Sequence, residues 1–251
     1  MRYCFLYLQL SRGMSRKVAM TQQEADATID LLWGRRVGPT RGPKPALTIT
    51  RIAEAAVAVA DTEGLEAVSM QRVAASLDFT KMSLYRYVAG KAELVATMTE
   101  YAVGEPPDLS RVKGGWRPRV ERWSRLLSTS WDEHPWLPGV TVGPRVIGPR
   151  EIGWTESLVA ALDDTPLTPA ERMDVASVIS GHLRNTQAID VAGSQPWHHA
   201  RQAAVVREHA EQFPSLAEVT RHRARSPRQT RDFGLQCLLD GIELRIAQRS
   251  R

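Results

Sequence analysis

An all-α fold is expected for this chain, and three features of the sequence predict it. Apolar residues recur at three- and four-residue steps over long stretches, the helical rather than the strand period. No alternating pattern longer than four residues appears beyond Gly115. The periodic stretches are punctuated by Gly- and Pro-rich breaks, at Arg35–Lys44, Glu105–Gly115 and within Gln195–Arg231.

The 251 residues, 43% hydrophobic and 24% charged, are ordinary for a soluble protein and suffice for one large domain or two small ones. No run of about 18 apolar residues is present, so no membrane partner is expected and a cytoplasmic setting fits. Met1–Leu10 is mostly apolar but lacks a cleavage site and makes a poor secretory signal. It reads as an unstructured leader or a misassigned start, with Met14 or Met20 as alternatives. Cys4 and Cys237 have neither metal-type nor redox-type spacing, which argues against a disulfide scaffold and a zinc finger, and Cys237 is expected to be buried in a helix.

The elements follow in order. Residues 1–45 read as a flexible, partly basic extension. With the next two residues this segment holds eight Lys or Arg against three Asp or Glu, whereas 48–104 holds five against seven. The positive charge of the N-terminal part is thus in the arm. RRVGPTRGPK is too rich in Gly, Pro and Arg to be helical. A first helix carries Ile49, Ile52, Ala53, Ala56, Val59 and Ala60, with Thr48 or Thr50 as cap and Gly64 as stop. Ser69 caps a short helix through Leu77, and Val73, Ala74 and Leu77 face inward. Asp78-Phe79 makes a tight turn. Thr80 caps the next helix, where Leu84, Tyr85 and Val88 recur, and a fourth helix runs from about Lys91 to Val103.

EPPDLSRVKGG then separates a domain at 46–104 from one at 115–251. In the latter, Trp116, Val120, Trp123, Leu127, Ser130 and Trp131 form one stripe and Ile152–Leu162 another. Thr168-Pro169 starts a helix through Met173, Ala176, Ile179 and Leu183. Leu235, Leu238, Leu239, Ile242 and Ile246 mark a last helix over Asp232–Gln248. RHRARSPRQTR, with five arginines, reads as a solvated loop before it.

Two short helices joined by a tight turn over Met70–Ala89 have the spacing of a helix-turn-helix, whose second helix enters the major groove of DNA. Leu84 and Val88 face the core, which leaves Lys81, Met82, Ser83 and Tyr85 to reach base edges. Thr80 and Tyr87 are placed to bond phosphates, and Lys91 sits at a helix start, where backbone amides attract a phosphate. Arg41 and Lys44, ahead of the first helix, suit the minor groove or the phosphates, as flexible arms do. Thr50, Arg51, Ser69 and Met70 complete the expected DNA-binding set.

LDFTKMSLYRYVAGKAELV, preceded by TITRIAEAAVAVADTEGLEAVSMQRVA, resembles the DNA-binding domain of the TetR family. One departure is Asp78, at a turn position where the family often has Gly, and Asp tolerates left-handed backbone better than most residues. WDEHPWLPG and the helices after it are similar to the tetracycline-repressor type of C-terminal domain. The resemblance implies a homodimer on a palindromic double-stranded operator, a repressor released by a small-molecule effector not identified by the sequence.

His134, Trp154, His182 and Asn185 are the candidates for the polar and aromatic lining of the effector pocket, and a tryptophan-lined pocket would suit an apolar or aromatic molecule. The histidines form no metal motif, and neither metal nor cofactor is expected. Helices at Thr168–Ile189 and Asp232–Gln248, with Ser180-Gly181 and Gly241 allowing close approach, are expected to pair two copies as a four-helix bundle. The alternatives are a constitutive DNA-binding protein without a ligand, or a helical enzyme acting on a small molecule. The enzyme reading has no nucleophile elbow, phosphate loop or spaced carboxylate pair to support it.

Overall fold

The computed structural model describes residues 21–36, 46–191, 199–222 and 226–249, and every element among them is helical. The leader at Met1–Leu10 with its Cys4, the arm residues Arg41 and Lys44, and Trp197 and His198 lie outside the described residues. Two compact units emerge: residues up to Asp108 together with Glu133–Ser157, and Leu109–Asp132 together with the chain from Leu158 onward. These units divide the chain differently from the expected domains at 46–104 and 115–251.

The first unit begins with a helix inside the segment expected to be a flexible extension. Helix α1 spans Gln22–Leu32. Thr21 accepts from Glu24 N at 3.2 Å, and Glu24 returns the bond to Thr21 N at 2.7 Å, so two orphan amides are satisfied at once. Leu31 is buried, and α1 packs on helix α5, Lys91–Ala102. Arg36, counted with the basic arm, is likewise a structural residue. Its guanidinium donates to the carbonyls of Tyr87 and Ala27, each at 3.2 Å, and pairs with the buried Glu93 carboxylate.

Helix α2, Ile49–Glu63, is capped by Thr48, the first of the two expected caps. It presents Ile52, Ala53, Ala56, Val59 and Ala60 to the core, all nearly inaccessible, and packs along α5 through Leu94 and Met98. A single 3-10 turn, Leu65–Ala67, leads to α3, Met70–Ser76, and α4, Lys81–Leu84.

The segment 133–157 carries α7, Leu137–Val140, and α8, Pro149–Ala160, which runs past the unit boundary. Three polar ties fasten this segment to the reader helices. Asp61 near the end of α2 faces His134 Nδ1 at 2.9 Å and accepts from Trp136 Nε1 at 2.7 Å. Trp154 Nε1 donates to the carbonyls of Val103 and Gly104, at 3.1 and 3.3 Å. Glu100, buried on α5, accepts from the amides of Arg150 and Glu151 and so caps α8 with a carboxylate. Gly148 makes room for it, since a Cβ there would lie 2.3 Å from Glu100 Oε2.

The second unit is built on α6, Trp116–Glu133, α9, Pro169–Val191, and α12, Pro227–Arg249. Val120, Trp123, Leu127 and Trp131 on α6, Leu158 and Leu162 on the end of α8 and beyond, Ala176, Ile179 and Leu183 on α9, and Leu235 and Leu239 on α12 are its buried apolar residues. Helices α9 and α12 pack side by side, and Gly234 permits the approach: a Cβ there would meet His182 Cε1 at 2.3 Å. Two shorter helices, α10 at Ala200–Glu208 and α11 at Pro214–Val219, pack on each other.

Two expectations are corrected here. The last helix starts at Pro227 rather than Asp232, because Ser226 and Gln229 cap it reciprocally and proline suits the first helical position. Part of RHRARSPRQTR is therefore helix and not loop. Cys237 is exposed, not buried. The buried stripe of α12 runs through Leu235 and Leu239, and Cys237 lies about 200° around the helix from Leu235.

Burial raises the Glu100 carboxyl above the ordinary carboxylate range, against the pull of the two α8 amides. The folded protein thus holds a proton at pH values where the unfolded chain has lost it, so this group's contribution to stability falls as pH rises from about 4.5 through the elevated value. Chemical denaturation across pH 4 to 8 should show that decline in the wild type and a flatter profile in Glu100→Gln; identical profiles would refute the assignment. Replacing Arg36 by Ala should cost about 1–3 kcal/mol in urea denaturation, because the buried Glu93 is left with only the Ala89 amide as partner; an unchanged midpoint would refute this role.

Candidate nucleic-acid interface

Local chemistry fixes the reader. Ser69 accepts from Arg72 N at 3.1 Å and starts α3, whose Met70, Val73 and Ala74 are buried. The chain then reverses at Asp78, which has φ of 60°, the left-handed region in which the tight turn was expected to be tolerated. Phe79 N closes back on Ala74 O at 3.0 Å. Thr80 accepts from Ser83 N at 3.3 Å and caps α4.

Helix α4 is four residues long, continued by a turn in which Tyr87 N and Val88 N both bond Leu84 O. Leu84 and Val88 are fully buried. Opposite them, Met82 is 65% exposed, Tyr85 is 44% exposed, and Lys81 is exposed as well. An apolar side chain, a phenol and an ammonium thus share one protruding turn whose other side is locked in the core. Ser83 is half-buried, with its hydroxyl 3.1 Å from that of Thr80. Tyr87 is half-buried, and Arg86, which the sequence reading passed over, is exposed with its guanidinium 6.0 Å from the Tyr87 ring. The signal for Arg86 was present, a cation between two tyrosines in the recognition segment.

Around this turn, Lys91 is exposed at the first residue of α5, and Thr50 and Arg51 are exposed on the first turn of α2. Arg51 Nη1 donates to the Ala46 carbonyl. Ser69 is half-buried with its hydroxyl engaged as a cap. Met70 must be moved from the expected interface to the core: at 7% exposure it has almost no surface to present.

The four residues expected to line an effector pocket are divided between the two units. His134 and Trp154 belong to the first unit and spend their ring N–H groups on Asp61 and on the Val103 and Gly104 carbonyls. His182 Nε2 lies 2.8 Å from Arg231 O, and Asn185 is exposed on α9. The second unit holds a groove of about 490 Å³ between α6 and α12, with Leu183 of α9 at its base. No tryptophan lines it.

A helix-turn-helix whose second helix turns polar and aromatic groups outward, joined to a separate helical unit with a groove, defines a DNA-binding regulator. Residues 52–98 match the family model described as bacterial regulatory proteins, tetR family, and residues 107–246 match tetracyclin repressor-like, C-terminal domain. The chain belongs to the TetR family of transcriptional regulators. It is 34% identical over 241 residues to the HTH-type transcriptional repressor DrrR1 of Streptomyces coeruleorubidus, covering 88% of this chain and 87% of that protein. Its fold is similar to that of a protein from Streptomyces coelicolor A3(2) solved as a possible TetR family transcriptional regulator, with TM-score 0.66, 25% identity, and coverage of 78% and 99%. ActR of Streptomyces coelicolor, solved in complex with actinorhodin, shares the fold with TM-score 0.66 at 21% identity, over 81% of this chain and 98% of that one.

The turn supplies a direct test. Asp78→Val, which cannot adopt positive φ cheaply, should lose about 1–2 kcal/mol in urea denaturation, whereas Asp78→Gly should stay within about 0.5 kcal/mol of the wild type. Equal stability of the two variants would mean that this backbone conformation is not what holds the turn.

Proposed function

We propose that a homodimer of this chain binds a palindromic operator through α4 and its flanks, represses transcription in the cytoplasm, and is released by a small molecule taken up in the second unit. The observation that carries the DNA-binding part is the two-sidedness of α4: Leu84 and Val88 fully buried, Lys81, Met82 and Tyr85 presented outward. Met82 suits a thymine methyl group, Lys81 and Tyr85 suit base edges, and Thr80, Tyr87, Arg86 and Lys91 suit the phosphates beside them. Thr50, Arg51 and Ser69 flank the same backbone, and Arg41 and Lys44, ahead of them in the sequence, suit the minor groove or the phosphates. The protein acts by binding and not by turnover.

Pairing is supported by apolar side chains left on the outer faces of the two long helices, Met173 and Val178 on α9 and Leu244 on α12. Gly181 and Gly241 have open space above them, which a second copy's backbone can approach. Repression is supported by the function named for DrrR1, and response to a small molecule by the complexes of ActR with actinorhodin and with (S)-DNPA. Release follows as a population shift in which the ligand prefers the state whose reading heads are mis-spaced for successive major grooves. The polar ties of Asp61, Glu100 and Trp154 give the route: segment 133–157 runs at both ends, in sequence, into the second unit, and it grips α2 and α5 directly.

Purified protein incubated with genomic fragments at moderate salt should retain DNA sharing a palindrome with half-sites about one helical turn apart. Retention without a shared sequence would remove the operator reading. On the retained fragment, Lys81→Ala and Tyr85→Ala should each weaken binding by about 10-fold, and Lys91→Ala should reduce the salt slope by about one. Met70→Leu should leave affinity unchanged. Sedimentation at micromolar protein should give the mass of two chains.

A further inference from the structure

The groove of the second unit has a chemical character of its own. Its walls are two helical faces: Glu121, Ser124, Arg125 and Ser128 on α6 oppose Arg228, Arg231, Asp232 and Leu235 on α12. The steps of three and four residues on each wall are those of one face of a helix. The floor is apolar, with Leu183 and Leu235 almost wholly buried. At the base of the α6 wall Ser124 is 1% exposed, and among the described residues its hydroxyl has no hydrogen-bond partner. A buried hydroxyl left unmatched is costly, and a ligand atom seated on the floor would satisfy it.

The rim is charged, and its charges are not all matched. Glu121 is held by Arg117 at 3.7 Å and accepts from Gln236 at 3.2 Å. Asp132 faces Arg231 at 3.6 Å, and Arg231 donates to Gln187 Oε1 at 3.1 Å. Among the described residues, the charged ends of Arg125, Arg228 and Asp232 have no partner, which leaves two guanidinium groups against one carboxylate. Asp232 stands one helical turn from Arg228 on the same wall, where the arginine offsets its charge.

Resting on the effector reading above, we infer that this groove selects a small hydroxylated carboxylate, its carboxylate held at the rim by Arg125 and Arg228 and its hydroxylated body seated on Leu183, Leu235 and the Ser124 hydroxyl. Guanidinium groups recognise a carboxylate through paired charge-assisted bonds, which an ammonium or a neutral amide does not offer in return. The volume of about 490 Å³ is that of a pocket for a small organic molecule. This is a different ligand from the apolar molecule that a tryptophan-lined pocket would take.

The test is calorimetric titration of the full chain with three matched probes: 4-hydroxybenzoate, 4-hydroxybenzamide and 4-hydroxybenzylamine. The acid should bind about 10-fold tighter than the amide, and the amine more weakly still. Arg125→Gln and Arg228→Gln should each remove most of that advantage. Ser124→Ala should weaken acid and amide alike while raising Tm of the free protein, since it deletes an unsatisfied buried hydroxyl. Binding of the amide or the amine as tightly as the acid, an advantage that survives both arginine replacements, or no binding of any probe would overturn the inference. DNA retention is followed in parallel. Acid that binds through the arginines without releasing DNA leaves the groove's preference standing and defeats the release reading; release by compounds indifferent to Arg125 and Arg228 does the reverse.

Discussion

A helix of four residues has no stability of its own, since nucleating a helix costs more than its first hydrogen bonds return. Everything proposed for this protein depends on α4 being held rigid by other means. Leu84 and Val88 fill the core beneath it, Thr80 caps its start, and the buried Glu93 carboxylate accepts from Ala89 N just past its end. Arg36 closes the arrangement by neutralising Glu93 and bonding the Tyr87 carbonyl. The outward side chains are thereby fixed on a turn that cannot unwind without exposing two core residues and the buried Glu93 carboxylate. That rigidity permits Lys81, Met82 and Tyr85 to meet a groove edge without a large ordering cost on binding.

A rigid reader responds to a distant ligand only if something movable grips it. In the release proposed above, segment 133–157 supplies that grip on α2 and α5. Beside the buried Leu137 and Trp154, it holds α2 and α5 through polar ties: a carboxylate shared by an imidazole and an indole, and a carboxylate capping a helix. Such bonds are directional and break over small displacements, whereas apolar packing slides. Breaking these bonds is, in that proposed release, the step that frees α2 and α5.

How much of this was legible in the sequence varied with the range of the interaction. The reader was legible because it is specified locally: Ser69 and Thr80 are caps, Asp78 is a turn residue, and Leu84 and Val88 keep the helical period. Helix α1 carries an equally local signal in Thr21 and Glu24, a reciprocal cap, but the basic residues around it drew the reading toward a flexible arm. Met70 and Cys237 were misplaced because each lies beside a periodic stripe, and only the packed neighbours decide which side of the helix is covered. The role of Arg36 depends on Glu93, 57 residues away, and the groove depends on α6 meeting α12 over a hundred residues later. No spacing rule reaches that far, and among the described residues Trp123 and Trp131 are buried in packing while Trp136 and Trp154 bond Asp61, Val103 and Gly104.

The most direct measurement is hydrogen–deuterium exchange of the full chain, free and bound to its retained DNA. The account predicts that amides from Thr80 to Lys91 already exchange slowly in the free protein, as a pre-formed reader demands, and that added protection on DNA concentrates there and on the first turn of α2. Fast exchange of that stretch in the free protein, or protection centred elsewhere in the chain, would contradict it.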